Sequence, residues 1–283
     1  MLSYQHAFHA GNHADVLKHL CWIGVIEHLK RKNKPFTLYD THSGAGVYQL
    51  DDALASKNKE YETGVDKITN VSATSALLNH YVNLCSDFLK QRQYPGSPAI
   101  SAQLKRATDT LHLMELHPGE YQKLDASFTG VNDHSIHIHH RDGFEGLVAL
   151  TPPQPNRGAI LIDPPYELIS EYDDVVNTVS KVLSRWQQAQ IVVWYPLLST
   201  RAGAKSHASR TMCEALAELG KPCFTYELTV SDNQVDAGMY GSGVCVINPS
   251  WQLDTQLSEA VGEITPLLSE QAHGNLLWLN ADT

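Results

Sequence analysis

The sequence has no uninterrupted apolar run long enough to cross a bilayer. Its first residues, M-L-S-Y-Q-H-A-F-H-A, lack the basic start and apolar block of a signal peptide. These two absences predict a cytoplasmic protein with no membrane partner. Cysteine is scarce and scattered: Cys21, Cys85, Cys213, Cys223 and Cys245 are odd in number and show no C-x-x-C spacing, which argues for reduced core thiols over disulfides or zinc ligands. Positive charge is also short, with 21 Lys and Arg against 31 Asp and Glu and a formal net charge of −10, which argues against wrapping long nucleic acid by bulk electrostatics. One local basic series remains, Lys18, His28, Lys30, Arg31, Lys32 and Lys34, and a charged helix end explains it nearly as well as an RNA contact. Histidine, by contrast, is plentiful at 15 residues. His137, His139 and His140 alternate in H-I-H-H as in a strand, but no acidic or Cys partner stands at ligand spacing, so no metal is expected.

What is present describes an ordinary globular chain, 42% hydrophobic and 18% charged over 283 residues, long enough for one large or two small domains. Its organising stretch is G-A-I-L-I-D-P-P-Y at 158–166. Ala159, Ile160, Leu161 and Ile162 read as a strand buried on both faces, which delivers Asp163 to its carboxyl end. Pro164 and Pro165 then take the chain out of the sheet in a rigid extended loop ending at the Tyr166 ring. A carboxylate, an unclaimed Pro164 carbonyl and a flat ring suit the methylation of an exocyclic adenine amine. Acceptors that hold its two N–H groups favour the form with a localised lone pair, and Tyr166 would stack on the base. A base inside a stem must be flipped out, or arrive unpaired, to enter such a pocket. On D-P-P alone, an ordinary strand end with a proline loop reads about as well.

The remaining pattern is an alternation of strands and helices. Asn12 is placed to cap a helix running to about Lys30, in which Val16, Leu17, Leu20, Ile23 and Ile26 recur at helical spacing while Lys18 and His19 fall off the stripe. Strand 36–40 leads into T-H-S-G-A-G, a Gly-rich turn of the kind that brings backbone close to a nucleotide-like ligand. Residues 47–94 show no strand signal and read as a helical insertion, which divides the chain into a main domain of 1–46 and 95–283 and an insertion subdomain of 47–94. Ser97 and Pro98 open a new helix. Strand 111–115 ends in Glu115, a candidate for two ribose hydroxyls, and strand 135–140 leads to Asp142, placed to hold an adenine amine. Two more strands are expected at 191–195 and 224–230, then a polar and Gly-containing loop at 231–243 and a strand at 244–247. No crossover helix fits in that loop, so the last two strands should pair antiparallel. The expected fold is therefore α/β: a Rossmann-like class I methyltransferase fold with a mostly parallel seven-stranded sheet, an antiparallel last strand, and a closing helix at 251–271 interrupted by Pro266.

With these residues assembled, the chain resembles the bacterial 23S ribosomal RNA adenine N6-methyltransferases that modify adenine 2030. The resemblance spans the whole length. It is carried by M-L-S-Y at 1–4, F-H-A-G-N-H-A-D-V-L-K-H at 8–19, D-T-H-S-G-A-G at 40–46, Y-P-G-S-P at 94–98, E-L-H-P at 115–118, D-G-F at 142–144, L-I-D-P-P-Y-E at 161–167 and W-Y-P at 194–196. It implies S-adenosylmethionine as methyl donor and 23S rRNA, in a largely protein-free form, as the partner, with no obligate protein partner. Matched motif by motif, it implies donor contacts from His19, His42, Ser97, Glu115, Asp142 and Gly143, with Asp163 shared between donor and target amine as proton acceptor. Tyr4 would meet the RNA, and His6 and Lys18 would lie beside the target nucleotide. His42 stands where the general methyltransferase turn commonly has glycine. The rivals are a DNA adenine or protein methyltransferase, and a non-catalytic RNA-binding assembly factor.

Overall fold

A computed structural model describes residues 6–69, 72–233 and 238–281; Tyr4 lies outside them. The described strands are, in chain order, β1 (Thr37–Asp40), β2 (Val47–Gln49), β3 (Gln93–Pro95), β4 (Thr110–Glu115), β5 (Ile136–His140), β6 (Gly158–Ile162), β7 (Gln190–Leu198), β8 (Cys223–Thr229), β9 (Met239–Ile247) and β10 (His273–Asn280). Eight of them form one sheet in the order β10-β8-β9-β7-β6-β1-β4-β5. The neighbours from β7 to β5 are all parallel, while β9 runs antiparallel to both β7 and β8. The antiparallel pairing expected of the last two strands is thus present, and the fold class is the expected one.

An eighth strand extends the sheet. Strand β10 pairs antiparallel with β8 from His273↔Thr229 onward, beyond the last element expected from the sequence. Its composition, H-G-N-L-L-W-L-N, has no β-branched residue, and its edge position leaves Leu277 and Trp278 exposed, so neither propensity nor a buried period marks it. Two further expectations are corrected. The closing helix runs Leu253–Leu268 straight through Pro266. The Gly262 carbonyl, deprived of its usual N–H at Pro266, accepts instead from Thr265 Oγ1 at 3.3 Å. The 47–94 segment does contain strand: β2 and β3 zip its two ends together with Tyr48 opposite Tyr94, in runs of three residues too short to show alternation.

Helix α1 (His13–Lys30) is the internal strut. Asn12 Oδ1 accepts from the Ala14 and Asp15 N–H groups, as the sequence predicted for a cap. The helix packs against β9 and against the helix Leu253–Leu268, and it is buried on all sides rather than along one stripe. Asp15, Lys18 and His19 are therefore inside the protein, at 2, 4 and 1% exposure. Lys30 lies about 18 Å further along the axis at 1.5 Å per residue. There Arg106 donates to the Lys32 and Lys34 carbonyls and Arg157 to those of Leu29 and Lys34, so the basic series splits into one site residue and a helix end. All five cysteines are buried and unbridged. Among the described residues, no helix is long and apolar enough to cross a membrane and no group of three His, Cys, Asp or Glu is placed to hold a metal.

Candidate active site

The parallel strands β1, β4, β5 and β6 end together, and their carboxyl ends open a cavity of about 250 Å³. In an open α/β sheet this is where the strand order reverses and where ligands sit. The cavity is lined by His6, Lys18, His19, His42, Ser97, Glu115, Asp142, Gly143 and Asp163, together with the Gly44 turn. A second cavity of about 230 Å³ adjoins it, lined by Tyr166, Trp194, Pro196, Leu198, Lys205 and Met239 among others. His6, Lys18, Asp163 and Pro165 line both, so the two spaces share one wall.

Each lining group is delivered by a definite piece of local structure. The turn after β1 needs left-handed backbone at Gly44 (φ 59°) and Gly46 (φ 77°), which glycine adopts freely. Glu115, at the end of β4, accepts from Gly44 N–H at 2.8 Å through one oxygen and from His117 N–H at 2.7 Å through the other. Its carboxyl is pushed upward by burial, against the pull of those two donors. Asp142 caps the helix Gly143–Leu150 by accepting from Glu145 N–H at 2.9 Å. Leu116 (43% exposed) and the Phe144 ring, set edge-on to His42, add apolar surface to the same end of the cavity. His19 holds Tyr94 OH through Nδ1 at 2.8 Å, while its Nε2 is buried without a partner. Burial pushes His19 down to about 3 and His42 to about 4, so both rings are neutral near pH 7.

The shared wall is an ionic chain. Lys18 Nζ lies 2.6 Å from Asp163 Oδ2 and 2.8 Å from Asp15 Oδ1, and Asp15 in turn meets His6 Nε2 at 2.9 Å and Gly11 N–H at 2.9 Å. Burial works against both charged partners, yet His6 and Lys18 hold Asp15 well below the usual carboxylate range, and Asp15 and Asp163 keep Lys18 above the usual lysine value. For Asp163 burial prevails and raises its carboxyl, with Lys18 and His6 opposing. Beside it Asp40, fully buried at the end of β1, takes a 2.6 Å bond from Ser97 Oγ and is pushed up to about 7 by burial, with Asp163 adding to the rise. Two carboxylates, Asp15 and Asp163, thus flank the Lys18 ammonium with the carboxyl of Asp40 close by, and a further cation would hold all three in the charged form.

Tyr166 lines the second cavity. Its ring is 3% exposed, packs 4.4 Å from Tyr172, and donates its hydroxyl to the Trp194 carbonyl at 2.7 Å, so it forms a fixed wall of the second cavity. Pro164 is buried beside it. Sequence reasoning missed Asp15 as a charge partner, Asp40, Leu116 and Lys205. Leu116 carried a usable signal, an apolar residue directly after the acid of a strand end, and so did Asp15, three residues before Lys18 on one helix; Asp40 and Lys205 depend on contacts far apart in the chain.

The sheet order, with its reversed β9, and the cavity at the strand ends define a Rossmann-like methyltransferase. More closely, the chain belongs to the family described as ribosomal RNA large subunit methyltransferase D, RlmJ, whose model matches residues 33–280. It is 38% identical over 284 residues to ribosomal RNA large subunit methyltransferase J of Escherichia coli K12, covering 99% of each chain. The protein of the same name from Haemophilus influenzae is 36% identical over 280 residues, covering 97% of each. Among solved structures, a Legionella pneumophila protein superposes with a TM-score of 0.85 at 28% identity, over 95% of this chain and 98% of that one.

The methyl donor is S-adenosylmethionine, and the first cavity suits it on its own chemistry. The unpartnered His19 Nε2, the excess of buried carboxylate and the Glu115 carboxylate answer a molecule that carries a sulfonium, an ammonium and a ribose diol. Leu116 and Phe144 answer its flat base.

Proposed function

We propose that the protein transfers a methyl group from S-adenosylmethionine to N6 of adenine 2030 in 23S rRNA, in the cytoplasm and without an obligate protein partner. The observation that carries this reading is the wall common to the two cavities, which puts Asp163 in contact with both. Bound in the first cavity, the donor supplies an electrophilic methyl on a cationic sulfonium. His19, His42, Ser97, Glu115, Asp142 and Gly143 hold it there: Glu115 for the ribose diol, Asp142 and Gly143 for the base. The second cavity takes the adenine, with Tyr166 as its wall and His6 and Lys18 beside the nucleotide. Asp163 and the Pro164 carbonyl accept from the amine and raise its nucleophilicity, and Asp163 takes the proton as the methyl arrives. Lys18 occupies Asp163 Oδ2, which leaves Oδ1 for the amine. Tyr4 meets the RNA. The 47–94 segment serves as an insertion subdomain on a main domain formed by 1–46 and 95–283.

The names of the curated relatives support a large-subunit rRNA substrate over DNA or protein. The intact set of Glu115, Asp142 and Asp163 around one cavity favours an enzyme over a binding factor. Mass mapping of N6-methyladenine in 23S rRNA from cells with and without the gene is the test. Loss of the mark at adenine 2030 alone is expected in the deletion. An unchanged mark, or tritium from labelled donor appearing in DNA or protein instead of rRNA, overturns the reading.

A further inference from the structure

The second cavity holds a cation that the methyl-transfer scheme leaves unused. Lys205 lines it from the 3₁₀ segment Thr200–His207, which carries no buried residue and kinks at Gly203 (φ 60°, ψ −125°). Lys205 Nζ donates to the Tyr166 carbonyl at 3.3 Å and to the Glu167 carbonyl at 3.1 Å. An ammonium has three donors, so one N–H remains. Among the described residues no carboxylate stands within ion-pair distance of it. Each other basic side chain on this cavity is matched: Lys18 by Asp15 and Asp163, His6 by Asp15, and His9 by Glu60. The chain flanking Lys205 adds no counter-charge, because residues 175–213 contain no Asp or Glu, and Glu167 meets it through its backbone carbonyl.

A half-buried ammonium fixed by two carbonyls, with a spare donor and no anion, is a site for an anionic ligand. We propose that Lys205 is a phosphate anchor: it binds the phosphodiester that joins the target adenosine to its neighbour, and the RNA strand crosses the Thr200–His207 turn as the base enters the second cavity. The inference rests on the proposed RNA adenine reading and adds the subsite that grips the backbone. Cavity geometry supports it. Trp194, Pro196, Leu198 and Met239 offer an apolar surface for a base, and Lys205 lines the same cavity. The anchor also bonds the turn that follows Asp163, at the carbonyl of Tyr166, which is held at φ 51°.

The test pairs the side chain with the phosphate. An rRNA fragment containing the target is prepared with a single neutral methylphosphonate linkage on the 5′ or the 3′ side of that adenosine, and kcat/KM is measured for wild type, Lys205→Met and Lys205→Arg. For wild type, one of the two linkages should lower kcat/KM by about tenfold or more, the size of one charge-assisted hydrogen bond. In Lys205→Met the same linkage should cost less than about twofold, because its partner is already gone, while Lys205→Arg should keep most of the wild-type difference. If the losses from substitution and linkage multiply, or if neither linkage affects wild type, Lys205 is not the anchor. Donor affinity measured by calorimetry should be unchanged in both variants; a loss there would assign Lys205 to holding the Tyr166 turn and overturn the phosphate role. If wild type fails to methylate the unmodified fragment, it is the rRNA reading that falls.

Discussion

At the scale of single residues the decisive group is Asp163. Asp163→Asn keeps the shape but replaces an anionic acceptor with an amide that can present N–H groups to the target amine. Methyl transfer should fall by on the order of 10²–10⁴-fold, with donor affinity by calorimetry largely kept. Unchanged turnover would remove Asp163 from the reaction. Lys18 sets when that carboxylate is ready. Burial raises the Asp163 carboxyl and Lys18 lowers it, so the acid limb of kcat/KM against pH reports a value that Lys18 holds down. In Lys18→Met the limb should move to higher pH, because a group whose pKa rises stays protonated, and so unable to accept, further up the scale. The substitution also strands Asp15 and Asp163 in the interior, which costs about 3–5 kcal/mol. Lys18→Arg should restore part of the stability, and the displaced limb distinguishes tuning of Asp163 from mere loss of fold. The sequence showed Asp163, Glu115 and Asp142 because each ends a strand or opens a helix, a position that pattern alone reveals. It could not show that Lys18 reaches Asp163, 145 residues away, since only the buried helix α1 brings them together.

At the scale of elements, the site depends on close approach between the end of β1 and the start of the helix Gly143–Leu150. A Cβ on Gly143 would lie 1.9 Å from the Thr41 carbonyl oxygen, a backbone atom that cannot turn aside. Gly143→Ala should therefore destabilise by about 1–3 kcal/mol and weaken donor binding, because it pushes the Asp142 end of the helix away from the turn after β1. Gly262→Ala is the contrasting case. It lies within the helix Leu253–Leu268, and a Cβ there meets nothing within 4 Å. That change should stabilise by up to about 1 kcal/mol and leave donor binding alone. Thermal unfolding and calorimetry on the two variants check both signs, and equal effects would mean that the approach of β1 to the helix is not a constraint. The strands that were legible are those with continuous apolar runs, β6 and β7 above all, buried on both faces of the sheet. Strand β10 was not, because an edge strand with an exposed face is held by its ladder to β8 rather than by a burial period.

At the scale of the molecule, a protein of formal charge −10 must hold a polyanion. Bulk attraction is the wrong sign, so binding has to come from a few placed contacts and from the energy of seating one base. The 47–94 segment is no exception, with six acidic and five basic residues. Its ionic ties include one to the N-terminal segment, His9 to Glu60. The basic cluster near Lys32 and Lys34 sits at the far end of α1 from the cavities, where its carbonyls are taken up by Arg106 and Arg157. With about three single-strand phosphates neutralised, log affinity should fall with log salt at a slope of about −2, or roughly twentyfold between 50 and 200 mM. Anisotropy titrations of a labelled rRNA fragment across that range give the slope directly. A value near −6 would require a broad basic surface and would mean that the RNA runs well beyond the mouth of the second cavity. A value near −2 that shrinks by about 0.7 in Lys205→Met would show that one of the few phosphates held is the one beside the seated adenosine.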